Sequence, residues 1–309
     1  MKAARLHQRG GPEQIVVEDA PDPVANAGEV RIRVKATAIT PGELTWNETY
    51  TRRDGTSRLP SIPGHDVAGT VDSVGAGVGD LAVGDAVYAL IDFPVDGSAA
   101  QYAVAPASDV AHAPQSIPPE VAAAVPLSAL TAWQGLFDHG KLDAGQTVLI
   151  HGGAGGVGAY AVQIARWRNA RVVTTASPKN ERLARELGAD QVIDYTTTHF
   201  EKVVHGVDLV FDTVGGDTLA RSIAVVRRGG RLVSIAAKPD ESQCKSRGIS
   251  GMFFIVRPSR DQLDQIARLI DLGRLKVNVQ ERYPLADARK AFERSIAGHL
   301  NGKIIITID

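Results

Sequence analysis

Cysteine is almost missing from the sequence: Cys244 is the only one in 309 residues. A single thiol excludes a disulfide within the chain and a metal site built from several thiolates, and it fits a reducing compartment. The sequence also lacks a run of about eighteen apolar residues, which a membrane-spanning helix needs. The opening segment MKAARLHQRG is charged and has no apolar stretch. We therefore expect a cytoplasmic protein without a secretory signal peptide.

Net charge is lacking as well, because 34 basic and 35 acidic residues leave a formal charge of -1. Such a balance provides no field that would collect nucleic acid or an anionic membrane surface, so we predict a small-molecule partner. The sequence contains no GxSxG, HExxH or P-loop pattern, and none of its tyrosines has a lysine four residues later, as short-chain dehydrogenases require. Their absence disfavours the enzyme classes that these patterns mark.

A zinc site is the first alternative for the chemistry. Gly64-His65-Asp66 could supply two metal ligands. A zinc dehydrogenase also needs a thiolate or further ligands, however, and Cys244 lies far away in the sequence. We therefore interpret His65 as a hydrogen-bonded structural histidine and predict no metal site.

The organisation of the chain changes near residue 120. Before it, short alternating segments such as EVRIRVKATA (29–38) are separated by turn sequences, which indicates a mostly β lobe. The segment EVAAAVPLSALTAWQGLF (120–137) then predicts a helix despite Pro126. From Thr147 onward, apolar strands without alternation are interleaved with helices, which is typical of a parallel sheet covered on both faces. The length also favours two domains.

The C-terminal part of the chain predicts one more helix and one more strand. Ser259, with Gln262 three residues later, resembles a capping box and predicts a helix that ends near Gly273. The last apolar segment, KIIITID (303–309), predicts a strand that could rejoin the N-terminal β lobe.

A glycine-rich segment follows the apolar run TVLI (147–150). It contains GxGxxG between a predicted strand and a predicted helix, where glycines allow a tight turn and bring backbone amides close to a pyrophosphate at the helix N-terminus. The alternative is a glycine-rich turn without a ligand. The residues predicted to bind a dinucleotide are Gly153, Ala154, Gly155, Gly156 and Val157.

The end of the second strand of this unit bears on the choice of dinucleotide. NAD enzymes usually have a carboxylate there to bind the ribose 2′-hydroxyl, whereas this chain has VVTTASPK (172–179). No carboxylate would repel a 2′-phosphate, and Ser177 and Lys179 could donate hydrogen bonds to one, so we predict NADP(H). Each residue has an alternative role: Ser177 before Pro178 is a suitable helix N-cap, and Lys179 could be a solvated helix residue.

Nine motifs occur in the order found in the quinone oxidoreductases, or ζ-crystallin-like proteins, of the zinc-free medium-chain dehydrogenases/reductases. They are PGHDVAGTVDSVG (63–75), VGDAVYAL (83–90), GSAAQYAV (97–104), PLSALTAWQGL (126–136), AGGVGAYAVQIAR (154–166), LGADQVIDY (187–195), FDTVGG (211–216), GGRLVSIA (229–236) and GHLNGKIII (298–306). The sequence resembles this family over nearly its whole length. The resemblance implies an α/β protein in which a split GroES-like β lobe (1–121 and 258–309) accompanies a Rossmann domain with a doubly wound parallel sheet (122–257). The active site would lie in the cleft between them.

The resemblance also implies where the cofactor would bind. Thr131 would lie against the nicotinamide, and Ser177, Lys179 and Tyr195 would surround the 2′-phosphate and the adenosine ribose. Where relatives have GHxRGK, this chain has GHLNGK, and Lys303 would keep the anion contact. The residues expected to line or cover the nicotinamide end are Val214, Ile235, Ala236, Phe254 and Val256. Most family members are homodimers, so we expect a homodimer.

The segment expected to meet the acceptor departs from the family pattern. Many relatives have Asn-Pro-x-Asp where this chain has TPGE (40–43), followed by LTW. Hydride addition to a conjugated carbonyl places negative charge on its oxygen, so the site needs a hydrogen-bond donor and a route for a proton. The candidates are Thr40, Tyr50 and a water. Trp46 offers an aromatic wall for a flat substrate. Tyr50 could instead be a surface aromatic on a mobile loop.

These observations predict a zinc-independent NADPH-dependent reductase of a conjugated carbonyl acceptor, a quinone or an enone, in which the cofactor supplies the hydride. Two alternatives remain open. One is a tailoring enoyl reductase of a biosynthetic pathway, which would use the same hydride step. The other is a low-turnover NADPH-binding sensor or structural protein, in which the altered segment from Thr40 to Trp46 would mark a lost active site.

Overall fold

The computed structural model describes residues 1–298 and 300–309; His299, which is part of the last family motif, lies outside the described residues. The chain forms two compact units. The first consists of Met1–Leu127, Arg257–Gly273 and Val277–Asp309, and the second of Ser128–Val256 and Arg274–Lys276. The sequence predicted the divisions at residues 121 and 258.

The secondary structure of the described residues is as follows. The strands are β1 (Lys2–Leu6), β2 (Ile15–Asp19), β3 (Glu29–Ala38), β4 (Asp66–Val74), β5 (Ala86–Leu90), β6 (Tyr102–Pro106), β7 (Val110–His112), β8 (Thr147–Ile150), β9 (Arg171–Ala176), β10 (Gln191–Asp194), β11 (Val207–Asp212), β12 (Val226–Ser234), β13 (Ser250–Phe253), β14 (Val279–Pro284) and β15 (Lys303–Thr307). The α-helices are α1 (Pro119–Ala122), α2 (Pro126–Trp133), α3 (Gly158–Trp167), α4 (Glu181–Glu186), α5 (Gly216–Ser222), α6 (Glu241–Arg247), α7 (Arg260–Asp271) and α8 (Ala288–Ile296).

The first unit is a mostly antiparallel β structure, as the alternating N-terminal segments predicted. Its main sheet has the order β14-β15-β3-β4-β5-β7, and β6 also pairs with β3. The predicted C-terminal strand does return to the N-terminal lobe, because β15 pairs antiparallel with β3 and places Ile305 opposite Ala38. The apolar side chains of β15 explain this position, since Ile304, Ile305 and Ile306 are all buried in the core.

The second unit contains a six-stranded parallel sheet with the order β10-β9-β8-β11-β12-β13. In chain order this is third, second, first, fourth, fifth and sixth, the arrangement of a doubly wound dinucleotide fold, so the predicted fold class is confirmed. The central strand β8 is fully buried at Val148, Leu149 and Ile150, because helices cover both faces of such a sheet. Strand order reverses between β8 and β11, and ligands bind at the carboxyl ends of the strands at such a point.

Two predicted helices had different outcomes. The helix predicted across Pro126 is wrong as a single element: α1 ends at Ala122, and Pro126 is the first residue of α2. Proline lacks the N–H that a helix interior needs, but it is well suited to the first turn. The predicted helix start is confirmed, since Ser259 is the N-cap of α7 and its side chain accepts a hydrogen bond from the Gln262 amide, which is one of the two bonds of a capping box.

Candidate active site

The predicted glycine loop connects β8 to α3 in the second unit. A Cβ atom on Gly153 would lie 2.0 Å from Thr174 Oγ1, and one on Gly158 would lie 2.1 Å from the Gly152 carbonyl oxygen, so both positions require glycine. Val157 occupies the N-cap position of α3 and makes no side-chain capping hydrogen bond. The first turn of α3 therefore carries no capping side chain, which leaves backbone N–H groups for an anion.

A buried histidine holds this loop to its neighbours. His151 Nε2 lies 2.9 Å from Ser222 Oγ, and Nδ1 lies 3.2 Å from Thr175 Oγ1. Ser222 Oγ donates its own hydrogen to Thr218 O, so His151 Nε2 carries the hydrogen of the first contact. Thr175 Oγ1 in turn accepts the Gly152 N–H at 3.1 Å. Burial lowers the pKa of His151 to about 4, so the ring is neutral near pH 7 and both of its nitrogens are hydrogen-bonded.

A buried carboxylate likewise holds the loops that follow β11 and β12. Asp212 accepts hydrogen bonds from the Val214 and Gly215 amides at 3.2 and 3.1 Å and from Ser234 Oγ at 2.8 Å. Ser234 Oγ also accepts a hydrogen bond from the Ala236 amide at 3.1 Å. The loops that carry the predicted cofactor residues Val214 and Ala236 are thus fixed by one hydrogen-bonded pair.

Ser177 and Lys179 follow the carboxyl end of β9, and Tyr195 follows the carboxyl end of its neighbour β10. The Tyr195 amide donates to the carbonyl of Ala176, the residue before Ser177, at 3.3 Å. Ser177 occupies the N-cap position of the 3-10 turn Pro178–Asn180, as its alternative role predicted, but its side chain makes no capping hydrogen bond. Its hydroxyl is buried and has no partner. Lys179 and Tyr195 are exposed, the latter at 60%.

The other predicted nicotinamide-side residues divide into exposed and buried groups. Val214 is 56% exposed and Ala236 is also exposed, whereas Ile235 is half-buried. Phe254 and Val256 are buried, and the Phe254 ring lies 4.5 Å from the ring of His139. Thr131 is a buried residue of α2. The contact of each with a cofactor stays a prediction.

The predicted acceptor-side residues lie in the first unit, just after β3. Thr40 Oγ1 is buried and makes no hydrogen bond. The surface alternative for Tyr50 is wrong, because the side chain is only 3% exposed. Its hydroxyl donates one hydrogen, and the available acceptors are the carbonyls of Leu44 at 2.7 Å and Gly10 at 3.1 Å. These contacts hold the segment together, and a catalytic role for Tyr50 stays a prediction.

Three rings meet beside this segment. Trp46 and Phe93 are half-buried and pack edge to face with their centroids 5.2 Å apart. His65 lies 5.9 Å from Trp46 and 5.0 Å from Phe93. Burial lowers the pKa of His65 to about 4, and its Nδ1 has no hydrogen-bond partner. The prediction of a hydrogen-bonded structural histidine is supported, because hydrogen bonds with the backbone of Ile91 and Asp92 act on the pKa of His65 against the effect of burial. The neutral ring also packs against the two aromatic rings.

Two carboxyl groups and one ammonium group are buried near these residues. Glu43 and Asp66 are fully buried, and Lys303 is 5% exposed. Lys303 Nζ lies 3.3 Å from Asp66 Oδ2, and Asp66 Oδ1 accepts the Leu127 amide at 2.6 Å. The sequence predicted a cofactor contact for Lys303; in the structure its partner is Asp66. Burial raises the pKa of Asp66 against the opposing effect of Lys303.

Glu43 links two loops of the first unit. Its Oε1 accepts the Gly64 amide at 2.8 Å and its Oε2 accepts the Thr40 amide at 3.2 Å. Burial raises the pKa of Glu43 to about 7, although both hydrogen bonds and Lys303 act to lower it. Within residues 1–298 and 300–309, no group of three or more His, Cys, Asp and Glu side chains could hold a metal ion.

Sequence reasoning did not select the residues that hold these loops, although a signal was present. Three of them are polar residues at the carboxyl end of an apolar strand. His151 follows TVLI directly, Asp212 ends VDLVFD and Ser234 ends GGRLVS. Glu43 stands where relatives have the aspartate of Asn-Pro-x-Asp. A polar group at the carboxyl end of a buried strand is the pattern that would have identified the first three.

Comparisons with known proteins agree with this architecture. Residues 26–115 match the alcohol dehydrogenase GroES-like domain family, and residues 187–306 match the zinc-binding dehydrogenase family. The quinone oxidoreductase of Mus musculus is 30% identical over 100% of this chain and 98% of its own length. The NADPH-dependent alkenal/one oxidoreductase of Arabidopsis thaliana chloroplasts is 32% identical over 99% of this chain and 79% of its own length. The solved structure of the quinone oxidoreductase from Coxiella burnetii superposes with a TM-score of 0.92 at 28% identity and covers 100% of this chain and 99% of that one.

The fold, the glycine loop and these matches define an oxidoreductase that uses a nicotinamide dinucleotide, of the medium-chain dehydrogenase/reductase class. Within that class the chain belongs to the zinc-free quinone oxidoreductase family, as the order of its motifs predicted. Among the described residues, no helix combines the length and the apolar character needed to cross a bilayer.

Proposed function

We propose that the protein is a zinc-independent NADPH-dependent reductase of conjugated carbonyl compounds, quinones or enones. The coenzyme preference rests on one observation: the Ser177 hydroxyl, at the end of β9, is buried without a partner among the described residues, in a segment (172–180) that contains no carboxylate. A buried polar group without a partner costs about 1–3 kcal/mol, and a 2′-phosphate oxygen would satisfy this one. Lys179, two residues later, adds the cation that a phosphate favours.

The acceptor class rests on the segment after β3. When bound, the nicotinamide supplies a hydride to the β-carbon of the conjugated system. The acceptor oxygen then gains negative charge, and a preformed hydrogen-bond donor stabilises it. Thr40 Oγ1 is such a donor, since it has no hydrogen-bond partner among residues 1–298 and 300–309. The half-buried rings of Trp46 and Phe93 provide a flat apolar contact for a planar acceptor.

An assay of NADPH oxidation against a panel of quinones and enones tests this function. We expect at least one acceptor of this class to be reduced, with kcat/KM higher for NADPH than for NADH. Turnover should persist after dialysis against a chelator. Equal kcat/KM for the two coenzymes would contradict the NADPH assignment, and tight NADPH binding without reduction of any acceptor would contradict the reductase.

Lys179→Ala isolates the coenzyme preference. The variant should weaken the binding of NADPH by about 1–3 kcal/mol, the value of a hydrogen bond to a charged group, and leave the binding of NADH unchanged. Lys202→Ala, which removes a lysine from the turn Phe200–Lys202, is the matched control. An equal loss for NADH would show that the change disturbs the turn after β9 and not a phosphate contact.

We also propose a homodimer that forms through β13. This strand lies at one end of the parallel sheet, and an edge strand offers unpaired N–H and C=O groups to another chain. Phe253 and Ile255, in and just after β13, are 40% and 64% exposed. Light scattering should give the mass of a dimer for the wild type and of a monomer for Ile255→Lys; a monomeric wild type would contradict the proposal. The cytoplasmic location expected from the sequence stays a prediction.

A further inference from the structure

The Thr40 hydroxyl can serve a reaction only if the backbone that carries it is fixed. Thr40 follows β3, and the next residues form a short turn that ends at Glu43. The turn is closed by two contacts with the same residue: the Glu43 amide donates to the Thr40 carbonyl at 3.1 Å, and Glu43 Oε2 accepts the Thr40 amide at 3.2 Å. The carboxyl group of Glu43 therefore clamps the start of this turn, while the Thr45 and Thr49 hydroxyls donate to the carbonyls of Gly42 and Glu43 at its end.

The second oxygen of Glu43 ties the turn to the loop before β4. Its acceptor contact with the Gly64 amide is the shorter of the two, at 2.8 Å. Gly64 has a φ of +91°, and a Cβ atom there would lie 2.7 Å from Thr37 Oγ1, so the amide lies in a conformation that other residues rarely adopt. The Gly64 carbonyl is held as well, by the Ser98 amide at 2.8 Å. Glu43 thus connects the Thr40 turn to a loop that further backbone hydrogen bonds hold in place.

We propose that Glu43 is a positioning residue of the reduction: its buried carboxylate clamps the Thr40 turn to the Gly64 loop and so holds the unpartnered Thr40 hydroxyl ready for the acceptor oxygen. This inference rests on the proposed function, because it concerns the same acceptor site. The carboxyl group is fully buried in the structure and acts through Thr40, not by touching the acceptor.

The clamp depends on the charge of Glu43. An ionised carboxylate accepts both amides, whereas a protonated carboxyl turns one oxygen into a donor that faces an N–H. Two charged groups act on the pKa of Glu43: Asp66 on β4 raises it, and Lys303 on β15 lowers it. The charge of Glu43 in turn raises the pKa of the titratable group Tyr50. Because burial raises the pKa of Glu43 to about 7, about half of the molecules carry the ionised carboxylate at neutral pH, and most carry it at higher pH. The clamp is complete in the ionised molecules.

Glu43→Gln tests the proposal in the full-length protein with NADPH and a reducible quinone or enone. The amide keeps the shape of the carboxyl group, but its NH2 faces one of the two backbone N–H groups. We expect kcat/KM for the acceptor to fall by about tenfold, the effect of one lost hydrogen bond to a charged group. In the wild type, kcat/KM should rise with pH through about pH 7, and in the variant this rise should be absent.

Two measurements separate positioning from a general structural effect. The dissociation constant of NADPH should be the same in wild type and Glu43→Gln, because the hydrogen bonds that the structure describes for the Glu43 carboxyl group go to Thr40 and Gly64 of the first unit, whereas the predicted phosphate-binding loop belongs to the second. Glu48→Gln is the matched control: it removes an exposed carboxylate five residues later and should leave kcat/KM and its pH profile unchanged. If Glu43→Gln does not fold, amide exchange in the wild type decides, since protection of the Thr40 and Gly64 amides should fall below about pH 7 after correction for the intrinsic rate.

The outcomes distinguish this inference from the proposed function. An active wild type with the same kcat/KM and pH profile in Glu43→Gln would overturn the positioning role and leave the reductase intact. Protection of the two amides that does not change with pH would overturn it as well. A wild type that reduces no acceptor would overturn the proposed function, and the role of Glu43 would be rejected with it.

Discussion

Two buried polar clusters, one in each unit, differ in how completely their atoms are hydrogen-bonded. In the second unit, both nitrogens of His151 have partners, and Asp212 accepts from two amides and a hydroxyl. In the first unit, Thr40 Oγ1 and His65 Nδ1 have no partner, and Glu43 is a buried acid whose pKa burial raises to about 7. We call the second-unit cluster closed, because these polar atoms are hydrogen-bonded. We call the first-unit cluster open, because it keeps a hydroxyl and a ring nitrogen without a partner among the described residues.

The difference matches the roles that we propose for the two clusters. Buried polar atoms without partners are rare because each costs about 1–3 kcal/mol. A network that only holds a glycine loop in place becomes more rigid when all of its polar atoms are hydrogen-bonded. A site that must stabilise a charge appearing during a reaction needs a donor that the protein has not used, and the Thr40 hydroxyl is one. We therefore expect the first-unit cluster to be sensitive to pH and substitution in ways that the second-unit cluster is not.

The largest effect should come from breaking the buried ion pair. Lys303→Met leaves the Asp66 carboxylate without a cation in a fully buried position, so we expect the free energy of unfolding to fall by about 3–5 kcal/mol above pH 7. Urea titration measures it. The matched control is Arg182→Met, which breaks an ion pair whose side chains are 90% and 55% exposed and should cost less than about 1 kcal/mol. Equal losses in both variants would contradict a buried charge pair.

The next effect concerns the pH dependence of stability. Glu43 has a pKa near 7 in the folded protein against 4.5 for the ordinary group, so between these values the folded state keeps a proton that the unfolded state has lost. Stability therefore falls as pH rises from about 4.5 to about 7, by up to about 1.4 kcal/mol per pH unit. Urea titrations across this range should show the fall in the wild type and a smaller fall in Glu43→Gln. Parallel curves would show that Glu43 does not hold the extra proton.

The sequence predicted the cofactor loop because its pattern is local. The glycines, the preceding strand and the following helix all lie within about twenty residues, and the capping box of α7 spans only Ser259 to Gln262. Pro126 shows the limit of local composition: the alanine- and leucine-rich segment around it favoured one helix, but the missing N–H of proline breaks that helix.

The buried clusters could not be predicted in the same way, because their contacts join distant residues. His151 and Ser222 are 71 residues apart, and Glu43 and Gly64 are 21 apart. The sequence also gave no reason to place Lys303 against Asp66, since residue type alone does not tell a buried lysine from one that binds an anion. The fold decides which polar residues become buried, and burial then sets their pKa values.

A third effect tests the closed network. Asp212→Ala leaves the Val214 and Gly215 amides and the Ser234 hydroxyl without their acceptor, so we expect a loss of about 1–3 kcal/mol in the free energy of unfolding. The dissociation constant for NADPH should rise too, because the loop after β11 is released. Asp217→Ala, which removes an exposed carboxylate from the first turn of α5, should cost less than about 1 kcal/mol. A stable Asp212→Ala variant with unchanged NADPH affinity would show that this network is dispensable.

The smallest effect should be the pH dependence of coenzyme binding. His151 has a pKa of about 4 and is neutral throughout the range in which Glu43 titrates. NADH is the suitable probe because it has no 2′-phosphate that would titrate. Its dissociation constant should change by less than about twofold between about pH 6 and about pH 8, whereas kcat/KM for the acceptor should rise about fivefold over the same range. A dissociation constant that moves in parallel with kcat/KM would mean that one titrating group governs both clusters, and the contrast between the closed and the open cluster would then be wrong.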